Sequence, residues 1–217
     1  MIKVFSIVVL SFFLVGCGKS GAEAGDVFME LTFGSTKLSI PKKYLLPGMP
    51  ASIAPKEKDL DADGSALIEV PIIDLGVSPK SHGGLADKII VLMSSHSDQI
   101  NPGALSAWEG VGLFNDRIIE FDDEVNLYRV YPKSGHPIIW QYFKTSPVDG
   151  GDFLSSWASS CTSPPGTDGK DLSKVKCQFV NRYKTVESQI TLNGENIKLM
   201  DSISSGYLNL LSSWEVI

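Results

Sequence analysis

The sequence has few of the side chains from which catalytic and metal sites are most often built. It contains three histidines (His82, His96 and His136) and three cysteines in 217 residues. It has no His-Glu-x-x-His, no Cys-x-x-Cys and no Gly-x-Ser-x-Gly segment, so the common zinc, redox and esterase signatures are absent. We therefore predict a protein that is not an enzyme and that needs no cofactor, with one calcium hypothesis described below.

A stripe of basic residues is missing as well. The chain has 19 lysines and arginines against 25 aspartates and glutamates, a formal net charge of −6, and its acidic residues are scattered. Nucleic-acid-binding surfaces need clustered lysine and arginine, so no nucleic-acid partner is predicted. The apolar content of 43% and the ten phenylalanines indicate a folded core rather than a disordered chain.

Long apolar runs are also absent, apart from one near the N-terminus. Residues 4–15 form an apolar run behind a single charge, Lys3. Such a run is too short to span a bilayer but has the length of a signal-peptide core. Residues 18–20, Gly-Lys-Ser, end like a phosphate-binding loop, but the first glycine of that loop would fall on Phe13, so nucleotide binding is not predicted.

The end of this run, Leu-Val-Gly-Cys at residues 14–17, resembles the lipobox of bacterial lipoproteins. The resemblance implies that the sulfur of Cys17 carries a diacylglyceryl group, that a peptidase cuts before Cys17, and that the new amino group is acylated. It also implies a lipid anchor in the cell envelope, facing the periplasm. Gly18, where an aspartate would retain the protein at the inner membrane, implies the outer membrane. The alternative is an ordinary secretory leader with an incidental cysteine.

These features divide the chain into three parts. Residues 1–16 are predicted to be a signal peptide that is removed, residues 17–26 a flexible tether, and residues 27–217 a globular domain. A subdivision of that domain near residues 100–110 is an alternative, because the segment NPGALSAWEG contains breakers.

If Cys17 is lipidated, Cys161 and Cys177 remain. In an exported protein, two remaining cysteines are most simply a disulfide. In the chain-entropy model, a disulfide that closes a loop of about fifteen residues adds roughly 3 kcal/mol to the free energy of unfolding. We predict this disulfide, with two free thiols or a catalytic cysteine as alternatives.

Strand patterns dominate the rest of the chain. A hairpin is predicted around Gly34 and Ser35, and Asn193 with Gly194 is predicted to form a second hairpin turn. Pro71 is predicted to make the far end of its strand a sheet edge or a bulge, and residues 87–95 are predicted to form a central strand. The predicted strands are residues 27–40 (as the hairpin), 65–73, 87–95, 117–121, 126–131, 137–143, 175–183 and 188–192.

The clearest helix is at the C-terminus. Its apolar residues recur at spacings of three and four and are Met200, Ile203, Tyr207, Leu210, Leu211 and Trp214. Asp201 or Ser202 is predicted to cap its start, and Gly206 to weaken it. Because strands dominate and no strand–helix–strand alternation occurs, we predict an α+β fold with a mainly antiparallel sheet, an amphipathic C-terminal helix and one disulfide.

One acidic segment could bind calcium. Asp59, Asp61, Asp63 and Gly64 occupy positions 1, 3, 5 and 6 of a calcium-binding loop. Glu69 lies one residue before the position of the usual bidentate glutamate, and flanking prolines exclude paired helices. A non-helical calcium site is one interpretation, and a solvated acidic turn before a strand is the other.

Two blocks resemble periplasmic immunity lipoproteins that accompany type VI secretion effectors. The first is FGSTKLSIPKKYLL (33–46), and the second runs from residue 176 to residue 214 and closes on Leu-Leu-x-x-Trp. The resemblance implies a protein partner, namely a toxic effector such as a lipase or a cell-wall enzyme, whose active site is occluded.

Two other functions remain open. The first is a structural or envelope-assembly lipoprotein that binds another envelope protein. The second is a hydrolase with dispersed catalytic residues, for which the three histidines and the acids at 122–124 are the candidates.

Overall fold

An eight-stranded antiparallel sheet forms the centre of the protein, with strand order β3-β4-β10-β9-β8-β7-β6-β5. The computed structural model describes residues 28–46, 65–81, 83–96, 100–134, 138–167, 169 and 171–217. A separate hairpin, β1–β2, packs beside this sheet. Among the described residues, no helix is long and apolar enough to cross a membrane.

The elements have the following bounds. The strands are β1 (Phe28–Phe33), β2 (Thr36–Pro41), β3 (Ser65–Pro71), β4 (Lys88–Ser95), β5 (Arg117–Asp122), β6 (Leu127–Pro132), β7 (Ile139–Phe143), β8 (Trp157–Thr162), β9 (Lys176–Tyr183) and β10 (Val186–Asn193). The helices are α1 (Pro102–Glu109), α2 (Phe153–Ser156) and α3 (Met200–Trp214).

The main core lies on one side of the sheet, here called the first face. Alternate residues of the strands, such as Val91, Phe179 and Ile190, point to this side and are buried. Helix α3 and the β1–β2 hairpin cover it, and the rings of Tyr44 and Trp214 meet there at 5.1 Å between centroids. The apolar stripe of α3 is thus the side that faces the sheet.

A smaller core lies on the opposite side, the second face, near the other end of the sheet. Ala107, Phe114, Val130 and Phe143 are buried in it. Helices α1 and α2 frame this core, and Trp108 contacts Phe143 with ring centroids 5.3 Å apart. The main core extends along the first face as far as β6 and β7, whereas the smaller core covers the second face only at the β5–β8 end. The second face is therefore covered over only part of its width.

The predicted fold class is confirmed. The structure is a mixed α+β fold with an antiparallel sheet, a C-terminal helix and the disulfide between Cys161 and Cys177. The hairpin around Gly34 is present, and β3 lies at an edge of the sheet with Pro71 at its end. The strand predicted over residues 87–95 is paired on both sides, by β3 and β10.

Two local predictions are wrong. The pair Asn193 and Gly194 does not form a hairpin turn, because the Asn193 side chain accepts a hydrogen bond from Glu195 N at 2.9 Å and begins a 3₁₀ helix, Gly194–Leu199. The turn between β9 and β10 is at Lys184 instead, with φ of 52°. Helix α3 continues from this 3₁₀ helix, so neither Asp201 nor Ser202 caps it.

Three of these helices and strands were not predicted, namely α1, the short α2 and β8. Helix α1 forms within residues 100–110, where Asn101 accepts a hydrogen bond from Ala104 N and Gly110 ends the helix with φ of 71°. These cap signals are visible in the sequence. Strand β8, of sequence WASSCT, lacks the branched and aromatic alternation of a typical strand because small residues such as Ser159 are buried at its core-facing positions.

Two buried tyrosines make the stability of this fold sensitive to alkaline pH. Burial raises the pKa of Tyr207 and of Tyr142 above the ordinary value of 10.0, and the hydrogen bond from Tyr142 to Asp122 (2.8 Å) raises the pKa of Tyr142 further. The folded protein therefore holds these protons more tightly than the unfolded chain does. Stability is retained below the unfolded pKa and decreases as the pH rises above it.

We expect the free energy of unfolding to fall above about pH 10 by up to about 1.4 kcal/mol per pH unit for each group. Urea denaturation over a series of pH values measures this slope. The double variant Tyr142→Phe with Tyr207→Phe should have a shallower slope than the wild type, although it is less stable at neutral pH. An equal slope in the two proteins would contradict the assignment.

Candidate protein-binding groove

A groove of about 610 Å³ lies on the second face of the sheet. Its floor is formed by β4, β10 and β9, and its sides by the start of α1 and by α2 with the adjoining residues of β8. No described helix covers this floor. We call it the open-face groove.

Its floor follows from strand alternation. Residues that neighbour the buried positions of β4, β9 and β10 point away from the main core, so Leu92, Val180 and Gln189 face the groove. Leu92 and Gln189 are directly opposite each other in the register. Leu92 is 39% exposed, and Leu154 on the side of the groove is 59% exposed. Apolar surface is therefore available to a partner.

A polar row borders the apolar floor. Gln178 donates a hydrogen bond to Thr191 at 3.1 Å, and Gln189 donates to Gln178 at 3.5 Å. The amides of the two glutamines form a cross-strand pair with unused donors and acceptors, and such groups can hydrogen-bond a partner backbone.

One end of the open-face groove is charged. Glu187 accepts from Arg182 Nε at 3.2 Å, and His96 Nδ1 lies 3.2 Å from the same carboxylate oxygen. The side chain of Arg182 is 49% exposed. The Glu187 side chain is only 18% exposed, so it is the Arg182 guanidinium that is accessible to an incoming carboxylate.

The opposite side is held in place by a hydrogen-bond network. The buried Gln141 accepts from Trp157 Nε1 at 3.2 Å and from Ser160 Oγ at 2.5 Å. Asn101 links this network to α1, since its side chain donates to Ser160 at 3.3 Å and caps the helix. Gln141 is thus fully buried. The network fixes the Trp157 ring before any partner binds.

The disulfide is the sequence-predicted site that the structure confirms. Cys161 on β8 and Cys177 on β9 are directly opposite in the register, with Cα atoms 4.1 Å apart. Both are buried in the main core. The bond joins β8, which contributes to the side of the groove, to β9 in its floor, on the reverse side of the sheet.

The proposed calcium ligands fall largely outside the described residues. Asp59, Asp61 and Asp63 are not among the described residues, and neither are Cys17 and the tether. Glu69 is in β3, where its carboxylate pairs with Lys88 at 2.9 Å. The described part of the chain contains no group of three or more histidine, cysteine or acidic side chains that could hold a metal ion. The calcium site stays a prediction.

Two of the acids considered for hydrolysis, Asp122 and Glu124, have structural partners. Asp122 ends β5 before a turn, and its side chain accepts a hydrogen bond from Tyr142. Glu124 pairs with Lys198 at 3.2 Å. His96 is at the groove end described above, whereas His82 and His136 lie outside the described residues.

Comparison with known proteins gives a fold relationship. No protein-family model and no curated protein sequence matches the chain. The structure is similar to that of an immunity protein of the Stenotrophomonas maltophilia type IV secretion system, with a TM-score of 0.51 over 88% of this chain and 94% of that chain. The two chains share a fold. Their sequence identity is 10%, a level at which the likeness concerns architecture and not individual site residues.

Sequence reasoning did not find the open-face groove. Its floor residues were recognised as strand residues, but which strands lie side by side is a property of the tertiary fold. The sequence does contain one indication of an uncovered face. In β9 and β10, every second residue is buried, and the residues between them include glutamine, valine and charged residues.

Proposed function

We propose that the protein is an immunity protein that binds a toxic effector through the open-face groove and occludes its active site. The observation that carries this proposal is the groove itself, a preformed recess with exposed apolar residues at its centre and polar residues around it. The fold shared with a secretion-system immunity protein supports it, as does the resemblance of the sequence to immunity lipoproteins.

The chemistry of the groove is that of a protein interface. Interfaces have an apolar and aromatic centre with a polar rim, and a few fixed aromatic residues supply most of the binding energy. Trp157 is held by Gln141, so its ring loses little conformational freedom on binding. The formal net charge of −6, or −7 once Lys3 is removed with the leader, would steer a basic partner toward the protein.

A charge placed on the groove floor tests this interface. We expect Leu92→Arg to weaken binding of the effector by at least about 100-fold, because the arginine would be desolvated against the partner's apolar surface. Leu92 is exposed, so the variant should fold. The matched control is Ile73→Arg, at a residue that is 64% exposed and outside the groove.

The biological readout is resistance to the effector. A strain that lacks the gene should be killed by its parent, and the wild type and Ile73→Arg should restore survival whereas Leu92→Arg should not. If the deletion strain survives, and a purified envelope protein binds the wild type but not Leu92→Arg, the envelope-assembly function replaces the immunity function.

We also propose that Cys17 anchors the protein to the outer membrane, facing the periplasm. Several acyl chains on one residue hold a protein to a bilayer far longer than one chain does. Such an anchor would place the open-face groove where an effector enters the periplasm.

Metabolic labelling with an alkyne-bearing fatty acid tests the anchor. We expect wild-type protein to be labelled and recovered with membranes, and Cys17→Ala to lose both the label and the membrane association completely. Lys19→Ala, two residues away, should behave as the wild type does. Membrane association of Cys17→Ala equal to that of the wild type would contradict the lipid anchor.

A further inference from the structure

Strand β5 is an edge of the eight-stranded sheet, and the backbone pattern shows which of its peptide groups are free. Lys133 N donates to Asp116 O at 3.2 Å, and Asn126 N donates to Asp122 O at 2.8 Å. In the register of β5 on β6, residues alternate between pairs that exchange backbone hydrogen bonds and pairs that do not. These contacts show that the even-numbered residues of β5 are the ones whose backbone groups bond to β6. The peptide groups of Arg117, Ile119 and Phe121 therefore point away from β6, and no described backbone group pairs with them.

The opposite edge of the sheet is less open. Strand β3 forms that edge, and Leu45 bridges to Ile68 in its middle. Pro71 ends the strand and has no N–H to offer. Of the two described edges, β5 is thus the one with a continuous row of free donors and acceptors.

The two faces of β5 differ in chemistry. On the first face are Glu120 and Asp122, and the Glu120 side chain is 47% exposed. On the second face are Ile119 and Phe121, and Phe121 is 46% exposed beside the ring of Tyr128 at 5.1 Å. Ile118 also lies on the first face and Arg117 on the second. It is therefore over residues 119–122 that a strand added to this edge would meet carboxylates on one face and apolar side chains on the other.

The first-face carboxylates are already ordered. Glu120 accepts a hydrogen bond from Tyr131 at 3.1 Å and lies 3.8 Å from Arg129, while Asp122 accepts from Tyr142. Arg129 is itself held over the Trp140 ring at 4.3 Å. Asp122 also accepts from Glu124 N at 3.1 Å, so both oxygens of each carboxylate have a neighbour, and unused lone pairs remain for an incoming lysine or arginine.

A second copy of the protein does not suit this edge. Antiparallel self-pairing centred on Ile119 would place Asp122 opposite Asp116 of the second copy. The register centred on Glu120 would place the two Glu120 side chains opposite each other. Like charges directly opposite each other destabilise a strand pair, so β5 favours a different, basic strand.

We propose that the free edge of β5 is a second binding site, which takes up an extended segment of a partner protein in which basic and apolar residues alternate. The backbone of the segment would bond to Arg117, Ile119 and Phe121, as in other cases of strand addition. Its basic side chains would contact Glu120 and Asp122, and its apolar side chains would cover Ile119 and Phe121. The site is separate from the open-face groove, so either proposal can fail without the other.

The probe is a short capped peptide in which lysine and valine alternate, added to the full mature protein. Amide exchange measured by NMR should slow by at least about tenfold at Arg117, Ile119 and Phe121, with no change at Ile118 and Glu120, which already bond to β6. A peptide of the same composition with lysines and valines in separate blocks, and one with glutamate in place of lysine, serve as controls.

Two matched variants separate backbone pairing from side-chain contact. Phe121→Ala and Phe121→Pro both remove the phenylalanine ring, but only proline also removes the N–H that points away from β6. An edge strand tolerates proline at such a position. We expect the proline variant to bind the probe at least about tenfold more weakly than the alanine variant. Circular dichroism and thermal unfolding establish that both are folded.

Alternating protection together with this difference supports strand addition. If the alternating peptide binds no better than the block peptide, or if the two phenylalanine variants bind it equally, the proposal is wrong. The carboxylates of β5 would then serve to keep this edge from pairing with other chains.

Discussion

Replacing Gly206 with alanine is expected to lower the free energy of unfolding by about 2–3 kcal/mol, even though alanine is the better helix former. A Cβ added at this position would lie 2.3 Å from the carbonyl oxygen of Leu75 and 2.9 Å from its Cβ. The close neighbour is backbone, so α3 or the turn that contains Leu75 would have to move. Helix propensity alone predicts the opposite sign, a gain of about 1 kcal/mol.

The measurement is urea denaturation, with Ser205→Ala as the control. Ser205 neighbours Gly206 in the interior of α3 but is exposed, so its replacement should change stability by no more than about 0.5 kcal/mol. A Gly206→Ala protein that is as stable as the wild type, or more stable, would contradict a close approach of α3 to the backbone of Leu75.

Removing the disulfide by the double change Cys161→Ala with Cys177→Ala is expected to lower the free energy of unfolding by about 3 kcal/mol. The bond closes a loop with a sequence separation of 16. Both sulfurs are buried, so alanine is preferred to serine, which would leave a hydroxyl in the core. The unfolded chain gains the conformational freedom that the bond removes.

The loss of stability in the double cysteine variant should be largest where β8 pairs with β9. Only Ser160–Gln178, Cys161–Cys177 and Thr162–Lys176 pair these strands, fewer than in the neighbouring strand pair β10–β9. We expect amides of β8 to exchange faster in the double variant. Wild-type protein treated with a reductant should show the same reduced stability, and unchanged stability in both cases would contradict a structural role for the bond.

The second face of the sheet is covered over only part of its width, which leaves the groove floor open. Helix α3 covers the first face over β4, β9 and β10, while α1 and α2 cover the second face over β6 and β7. The open-face groove lies behind the main core, and β5 lies beyond the smaller one. A full layer of helices on the second face would have buried the groove floor.

Much of the local structure could be predicted because it depends on residues that are close in sequence. The hairpin around Gly34, the three-strand meander of β5, β6 and β7, and the apolar stripe of α3 each carry their own periodicity. The disulfide could be predicted because two cysteines were left once Cys17 was assigned to a lipid. Helix α1 was missed despite its cap residues.

The rest could not be predicted because it depends on contacts between distant segments. The role of Asn193 and Gly194 is one example, since a Cβ at Gly194 would lie 2.7 Å from the Cβ of Val175 and the chain has to continue into α3 there. Gln141 is another, because its burial requires Trp157 and Ser160 as partners. Such partners are not visible in a periodic pattern.

By itself, the sequence determined the class of the fold, its longest helix and most of its strands, because hydrophobic periodicity and turn residues act within a few positions. Only the tertiary structure decided the order of the strands, and with it the groove floor that joins Leu92 to Gln189 and the free edge at β5. It also decided the need for glycine at residue 206, which follows from the carbonyl of Leu75 across the core. Binding surfaces on a sheet depend on which strands are neighbours and which faces are left uncovered, and neither property belongs to any single segment of the chain.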